Sequence, residues 1–362
     1  MPLKNITDYH ISLNNTNVVK GIAICAMLCH HLFLGHGDFV PFINQMAVVG
    51  KVCVALFVFV SGYGMTRQFG KATQNPERNN FSFIVKFILR RFVKFYMNYW
   101  FIFIIMVPIG VFFFSRPLSA AYGTESVVSG LALDFFGLQG FNSYNITWWF
   151  NRIIIVLWLM FPLFYWSMKS RITSIPILLL LFINPGDILW PFHFFAYGLP
   201  FFMIDFALGI FMAQHIEMIS VHLKSYNSAF ILSLSLLATF TFLWMRNTEL
   251  VGILNEYQID PLIAITLALS AVSFCRFFNS KLSIIAFIGK HSTNIYLTHT
   301  FIFLYFFHDV TYSFKYSLPI FSFLLLTSLT VSVFFESCKQ HLGFYKLQEK
   351  VTDALYTKQN CS

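Results

Sequence analysis

Long apolar runs separated by short polar segments fill this chain. Runs of spanning length fall at about 18–36, 47–66, 84–114, 146–168, 174–184, 197–214, 228–245, 259–278, 292–309 and 317–337. A helix needs about 20 apolar residues to cross ~30 Å of hydrocarbon. The pattern predicts an all-α, polytopic transmembrane bundle of about ten spans. The fifth run is short and is broken at Asn184-Pro185-Gly186, so it predicts a partial or tilted crossing. The stretch from Val127 to Leu138 is apolar but too short to cross, and it predicts an interfacial or re-entrant piece. The division that follows is 1–17 as an N-terminal segment, 18–337 as one membrane domain and 338–362 as a C-terminal tail. No internal repeat or low-complexity tract interrupts it.

Composition agrees with the pattern. Of 362 residues, 57% are hydrophobic and 11% charged, against about 25% charged in a soluble domain. The first run carries Lys20 and two histidines and has no small-residue cleavage site, so it is expected to stay as the first span. The net charge is +9. With the N-terminus in the cytoplasm, the loops on that side hold most of the 24 lysines and arginines. Arg116, Arg246 and Lys315 fall outside, and Lys51 and Arg152 lie near outer span ends. Cationic bias of this kind marks the cytoplasmic face and predicts that both termini lie there. No basic stripe sits on a soluble domain, so nucleic acid is not an expected partner. The six cysteines form no CxxC pair, so neither a disulfide framework nor a zinc site is expected.

Candidate chemistry starts in the first span, Asn17-Val-Val-Lys20-Gly-Ile-Ala-Ile-Cys-Ala-Met-Leu-Cys-His30-His31. An ionisable side chain inside a span is costly and marks a functional candidate. Lys20 and His31 are eleven positions apart, about three helical turns, so they share a face. The rise between them is roughly 17 Å. Imidazole serves as a base or nucleophile near neutral pH, although a lone core histidine is more often just hydrogen-bonded. His30 points about 100° away from that face. Arg90-Arg91-Phe-Val-Lys94 opens the third span. Such cations ordinarily snorkel to headgroups; the sharper reading is an anion clamp, since guanidinium grips phosphate with two bonds. Trp148-Trp149-Phe150 opens the fourth span as an aromatic belt or a sugar-stacking surface. Asn294, Tyr296 and His299 place polar groups in an apolar run and are expected to face the bundle interior.

Taken in order, these pieces resemble acyltransferase family three, the integral-membrane acyltransferases that often O-acetylate bacterial cell-surface sugars. Lys20 and His31 fit its basic residue, ten residues, then histidine, with Lys in place of the usual Arg. Arg91 and Lys94 fit its Arg-x-x-Arg pattern, again with Lys for the second Arg. Phe57 to Tyr63 is similar to its "FFxxSGY" ending. Trp148-Trp149-Phe150 is similar to its "LWF" entry, and Gly289 to His299 to its "GxxSxxIYLxH" segment. The resemblance covers roughly 20–340.

The resemblance implies acetyl transfer from acetyl-CoA, as donor substrate, to a hydroxyl of a saccharide such as O-antigen, capsule or exopolysaccharide. It makes His31 the catalytic residue. It assigns the donor phosphates to Lys20, Arg90, Arg91 and Lys94, and the acceptor to Trp148, Trp149, Tyr296 and His299. His31 either deprotonates the acceptor or carries the acetyl group itself. No metal and no resident cofactor are expected. The lipid bilayer is the expected partner and the bacterial inner membrane the expected place. The competing class is a transporter or flippase for a lipid-linked sugar or small metabolite, which explains the spans but not the spacing from Lys20 to His31. A haem protein using His31 and His299 is a further alternative.

Overall fold

The computed structural model describes residues 11–35, 39–73, 81–183, 191, 198–248 and 254–357. The Asn184-Pro185-Gly186 break and the first ten residues of the N-terminal segment lie outside them. So do Arg78, Lys358 and Cys361.

The chain is all-helical among the described residues. The first helices are α1 (Leu13–Phe33), α2 (Pro41–Gly50), α3 (Cys53–Ala72) and α4 (Phe81–Phe113). Two short helices, α5 (Ser119–Tyr122) and α6 (Val127–Phe135), then lead to α7 (Trp149–Ser167) and α8 (Arg171–Ile183). The long helices α9 (Leu199–Lys224), α10 (Ser228–Asn247) and α11 (Glu256–Phe277) follow. After them come α12 (Ser283–Lys290), α13 (Ser292–Thr300), α14 (His308–Ser313), α15 (Ser317–His341) and α16 (Phe344–Thr357).

Among the described residues, eight helical stretches are long and apolar enough to cross a membrane. These are α1, α2 with α3, α4, α7 with the 3₁₀ turn before it, α9, α10, α11 and α15. A polytopic helical bundle is therefore correct. The expected spans at 174–184 and 292–309 are shorter. The first is α8, 13 residues long and about 20 Å in rise. The second is α13 continued by a π-helical segment, Phe301–Phe306, where Phe307 N–H donates to the Ile302 carbonyl. The wider turn changes the ladder register and ends the regular helix at Thr300. The stretch from Val127 is a helix of nine residues, exposing Val128 and Leu133. At the other end, α15 runs past the expected boundary at 337, to His341.

The chain divides into two compact units. The first holds Met1–Gln68, Leu163–Phe194 and Gly198–Ser292. Its helices meet closely at glycines. A Cβ on Gly21 would strike the Ile285 carbonyl, and one on Gly289 the Asn17 carbonyl, so α1 and α12 touch backbone to backbone. Gly62 lies against the Phe206 carbonyl and Gly209 against that of Phe59, which joins α3 to α9 in the same way. Small residues permit this where apolar lipid offers no hydrophobic drive for association.

The second unit holds Phe69–Pro162, Phe195–Tyr197 and Thr293–Ser362. Its core is aromatic, with Tyr99, Phe103, Tyr144, Trp148 and Phe301 buried together. The segment 115–148 is ordered by Asp134. The Tyr122 hydroxyl and the Tyr144 N–H each donate to its Oδ2 at 2.6 Å, and the Tyr99 hydroxyl donates to its backbone carbonyl at 2.6 Å.

Candidate functional site

In the first unit, Ser12 caps α1 by accepting from the Asn15 N–H. The helix then runs unbroken through Lys20 and His31, so the shared face that the spacing predicted is present. Both side chains are half-buried. The His30 and His31 rings meet edge to face, 5.2 Å between centroids. His30 Nδ1 lies 2.8 Å from the Ala47 carbonyl of α2. Gly50 of α2 sits against the Ala26 carbonyl and the His30 Cβ, which lets α2 lie close along the end of α1.

A charged cluster of Lys51, Arg246, Glu256 and Asp260 adjoins α2; in the sequence Lys51 and Arg246 read only as markers of the outer side. Arg246 is buried, its side chain 1% exposed. Its Nε donates to Asp260 Oδ1 at 2.5 Å and its Nη2 to Glu256 Oε2 at 3.1 Å. Its Nη1 donates to the Val48 carbonyl of α2 at 3.0 Å. Glu256 also pairs with Lys51. Asp205 on α9 is buried beside this group, and its Oδ1 accepts no hydrogen bond. The available signal was the i,i+4 spacing of Glu256 and Asp260 at the start of an apolar run, opposite Arg246 at the end of the preceding one.

In the second unit, α4 is continuous through Arg90, Arg91 and Lys94. Arg91 and Lys94 thus stand one turn apart. The Arg91 guanidinium lies over the Trp158 ring, 4.5 Å from its centroid. Arg90 is half-buried and Lys94 exposed.

The residues expected to contact the acceptor are largely enclosed. Trp148 is 1% exposed. Tyr99, Phe103 and Phe301 surround its ring, and its Nε1 donates to the Leu297 carbonyl at 3.2 Å. His299 is fully buried. Its Nδ1 faces the Ile295 and Tyr296 carbonyls and its Nε2 the Thr300 hydroxyl. Both side chains are enclosed, and the polar atoms of each meet the protein's own groups. Tyr296 is half-buried; its hydroxyl donates to the Thr147 carbonyl at 2.8 Å. Trp149 is half-buried between Phe141 and Phe150. Trp148, Tyr296 and His299 are thus brought together, as the stitching between 147–151 and 295–300.

A family model describing the acyltransferase domain matches residues 13–336. The chain belongs to acyltransferase family 3. It is accordingly a membrane acyltransferase. No curated protein and no solved structure matches it. The family match takes in Lys20, His31, Arg91, Lys94 and the Gly289–His299 segment, so every motif quoted above lies within it.

Proposed function

We propose that this acyltransferase moves an acetyl group from acetyl-CoA to a hydroxyl of a cell-surface saccharide, as a multi-pass protein of the bacterial inner membrane with both termini in the cytoplasm. The observation that carries the reading is the unbroken α1, on which a cation and an imidazole share one face about 17 Å apart. His31 is the group for the chemistry. Its neutral imidazole takes the proton as the hydroxyl oxygen attacks the thioester carbonyl; the carbon–sulfur bond breaks and the departing thiolate is reprotonated. The alternative course is attack by the imidazole nitrogen on the thioester carbonyl, which breaks the carbon–sulfur bond, releases the thiolate and forms an acetyl-imidazole; the acceptor hydroxyl then takes the acetyl group, and its proton leaves with the freed imidazole. The donor's phosphates call for cations, and Lys20, Arg90, Arg91 and Lys94 are the candidates. Trp148, Trp149, Tyr296 and His299 are the candidates for the acceptor, of which Trp149 and Tyr296 are the more exposed. The cation-rich loops assigned to the cytoplasmic face support the orientation.

The test is a turnover assay with labelled acetyl-CoA on the purified protein in micelles. His31→Ala should abolish transfer and leave the elution profile and melting temperature unchanged. Turnover retained by that variant overturns the assignment. In a single turnover, label trapped on the wild-type chain and absent from His31→Ala selects the covalent course.

A further inference from the structure

His30 and Arg246 hold neighbouring carbonyls of one short helix. His30 Nδ1 is 2.8 Å from the Ala47 carbonyl, and Arg246 Nη1 donates to the Val48 carbonyl at 3.0 Å. Both carbonyls lie in α2, the ten-residue helix that ends at Gly50. Arg246 is in turn fixed by two oxygens of Asp260 and one of Glu256. Asp260 is buried; Glu256 is half-buried and shared with Lys51. Gly50 is essential to the arrangement, because any Cβ there would push against the Ala26 carbonyl and the His30 Cβ.

We infer that Arg246 is a positioning residue for His31, acting through α2 and His30; the inference rests on the catalytic reading of His31. The physical argument is one of constraint. His31 sits in the last turn of α1, where the helix has no following turn to hold it. The direction in which its Cα–Cβ bond leaves the helix follows from that turn's rotation about the helix axis. The His30 bond to Ala47 sets the rotation, since a ring N–H aimed at a fixed carbonyl admits few orientations. Ala47 is fixed only if α2 is fixed, and the buried guanidinium grips the next carbonyl along. Arg suits this because its planar fork can satisfy two carboxylates and a carbonyl together, which a lysine ammonium matches poorly. A reacting group held loosely by an ångström can lose about 100-fold in rate with substrate binding intact.

The test uses the full chain in micelles, with acetyl-CoA as donor. His30→Ala should lower kcat about 10-fold to 100-fold and leave KM for acetyl-CoA within about twofold. His30→Gln keeps a side-chain N–H donor and should recover much of that loss. Arg246→Lys keeps the charge and loses the fork, and should show the same split between kcat and KM. The double variant Arg246→Lys, His30→Ala should lose little more than the worse single change, because both act on one element. Independent, multiplying losses overturn the inference, as does a wild-type kcat in His30→Ala. Should Arg246→Lys fail to fold, Glu256→Gln decides: it weakens one hold on the guanidinium and leaves the Asp260 pair, so it should lower kcat with KM for acetyl-CoA unchanged, and a wild-type kcat there overturns the inference. If His31→Ala itself turns over normally, the catalytic reading falls and the positioning role falls with it; a dead His31→Ala beside an unaffected His30→Ala sinks the positioning role alone.

Discussion

Lys339 is buried against Glu336, one turn back on α15, with its Nζ 2.8 Å from Oε1 and its side chain 1% exposed. Asn98 of α4 and Asn294 of α13 accept from the same ammonium. Asn294 also donates to Glu336 at 2.8 Å, and the Tyr345 hydroxyl of α16 donates to its other oxygen. One ion pair thereby joins four helices of the second unit. Lys339→Ala would leave the carboxylate without its cation in a half-buried site. The expected loss is about 3–5 kcal/mol. It is read as a fall in melting temperature in micelles. Lys339→Met combined with Glu336→Gln should recover part of it, because no unpaired charge then remains.

That pair also marks the limit of what the sequence discloses. Apolar length gave eight spanning stretches correctly, since hydrocarbon thickness sets them. It placed the end of the last span at 337, two residues short of Lys339. The lysine is enclosed, which depends on Asn98 and Asn294, distant in sequence. The π-helical segment after Thr300 was equally hidden, since nothing in Phe301–Phe306 differs locally from an ordinary apolar helix. The face shared by Lys20 and His31 was legible because it is a property of one helix. The Arg246 network was not, because it joins three helices and only the folded chain brings them together.

Trp148 illustrates the same point at the candidate site, and it yields a prediction. Its surroundings are those of a core residue, with aromatic neighbours on all sides and its indole N–H satisfied. Trp148→Ala should cost about 3–5 kcal/mol in stability. KM for the acceptor, measured on the fraction that remains folded, should be unchanged. A selective rise in acceptor KM, with the melting temperature intact, would restore the sugar-stacking role.

A substitution at Arg91 tests donor binding against a purely topological role. The guanidinium rests on the Trp158 ring in a favourable cation–π contact. Loss of one charge-assisted contact is worth about 1.5–3 kcal/mol, or roughly 10-fold to 100-fold in affinity. Arg91→Ala should raise KM for acetyl-CoA by that factor and leave the acceptor KM nearly unchanged. Arg91→Lys should fall between. Equal changes in both constants would mean that Arg91 only anchors the helix.

The pH response of the segment 115–148 follows from Asp134. Burial pushes its carboxyl above the usual carboxylate range, while the bonds donated by Tyr122 and Tyr144 hold it down in part. The net shift is upward, so the folded segment keeps a proton that the unfolded chain has already released. Stability on this account is greatest below the ordinary value of about 4 and declines as pH rises from there through the raised folded value. A neutral amide of the same shape has no proton to lose. Asp134→Asn should therefore flatten that decline, although it turns one acceptor oxygen into a donor and lowers stability at every pH. The measurement is hydrogen exchange of residues 115–148, corrected for intrinsic rate, across pH 4 to 7. Protection that instead rises with pH in the wild type would mean that the tyrosine bonds outweigh burial and that the carboxylate is held ionised. Tyr144, whose phenol burial pushes up to about 12, adds a second decline only in alkali, well outside that window.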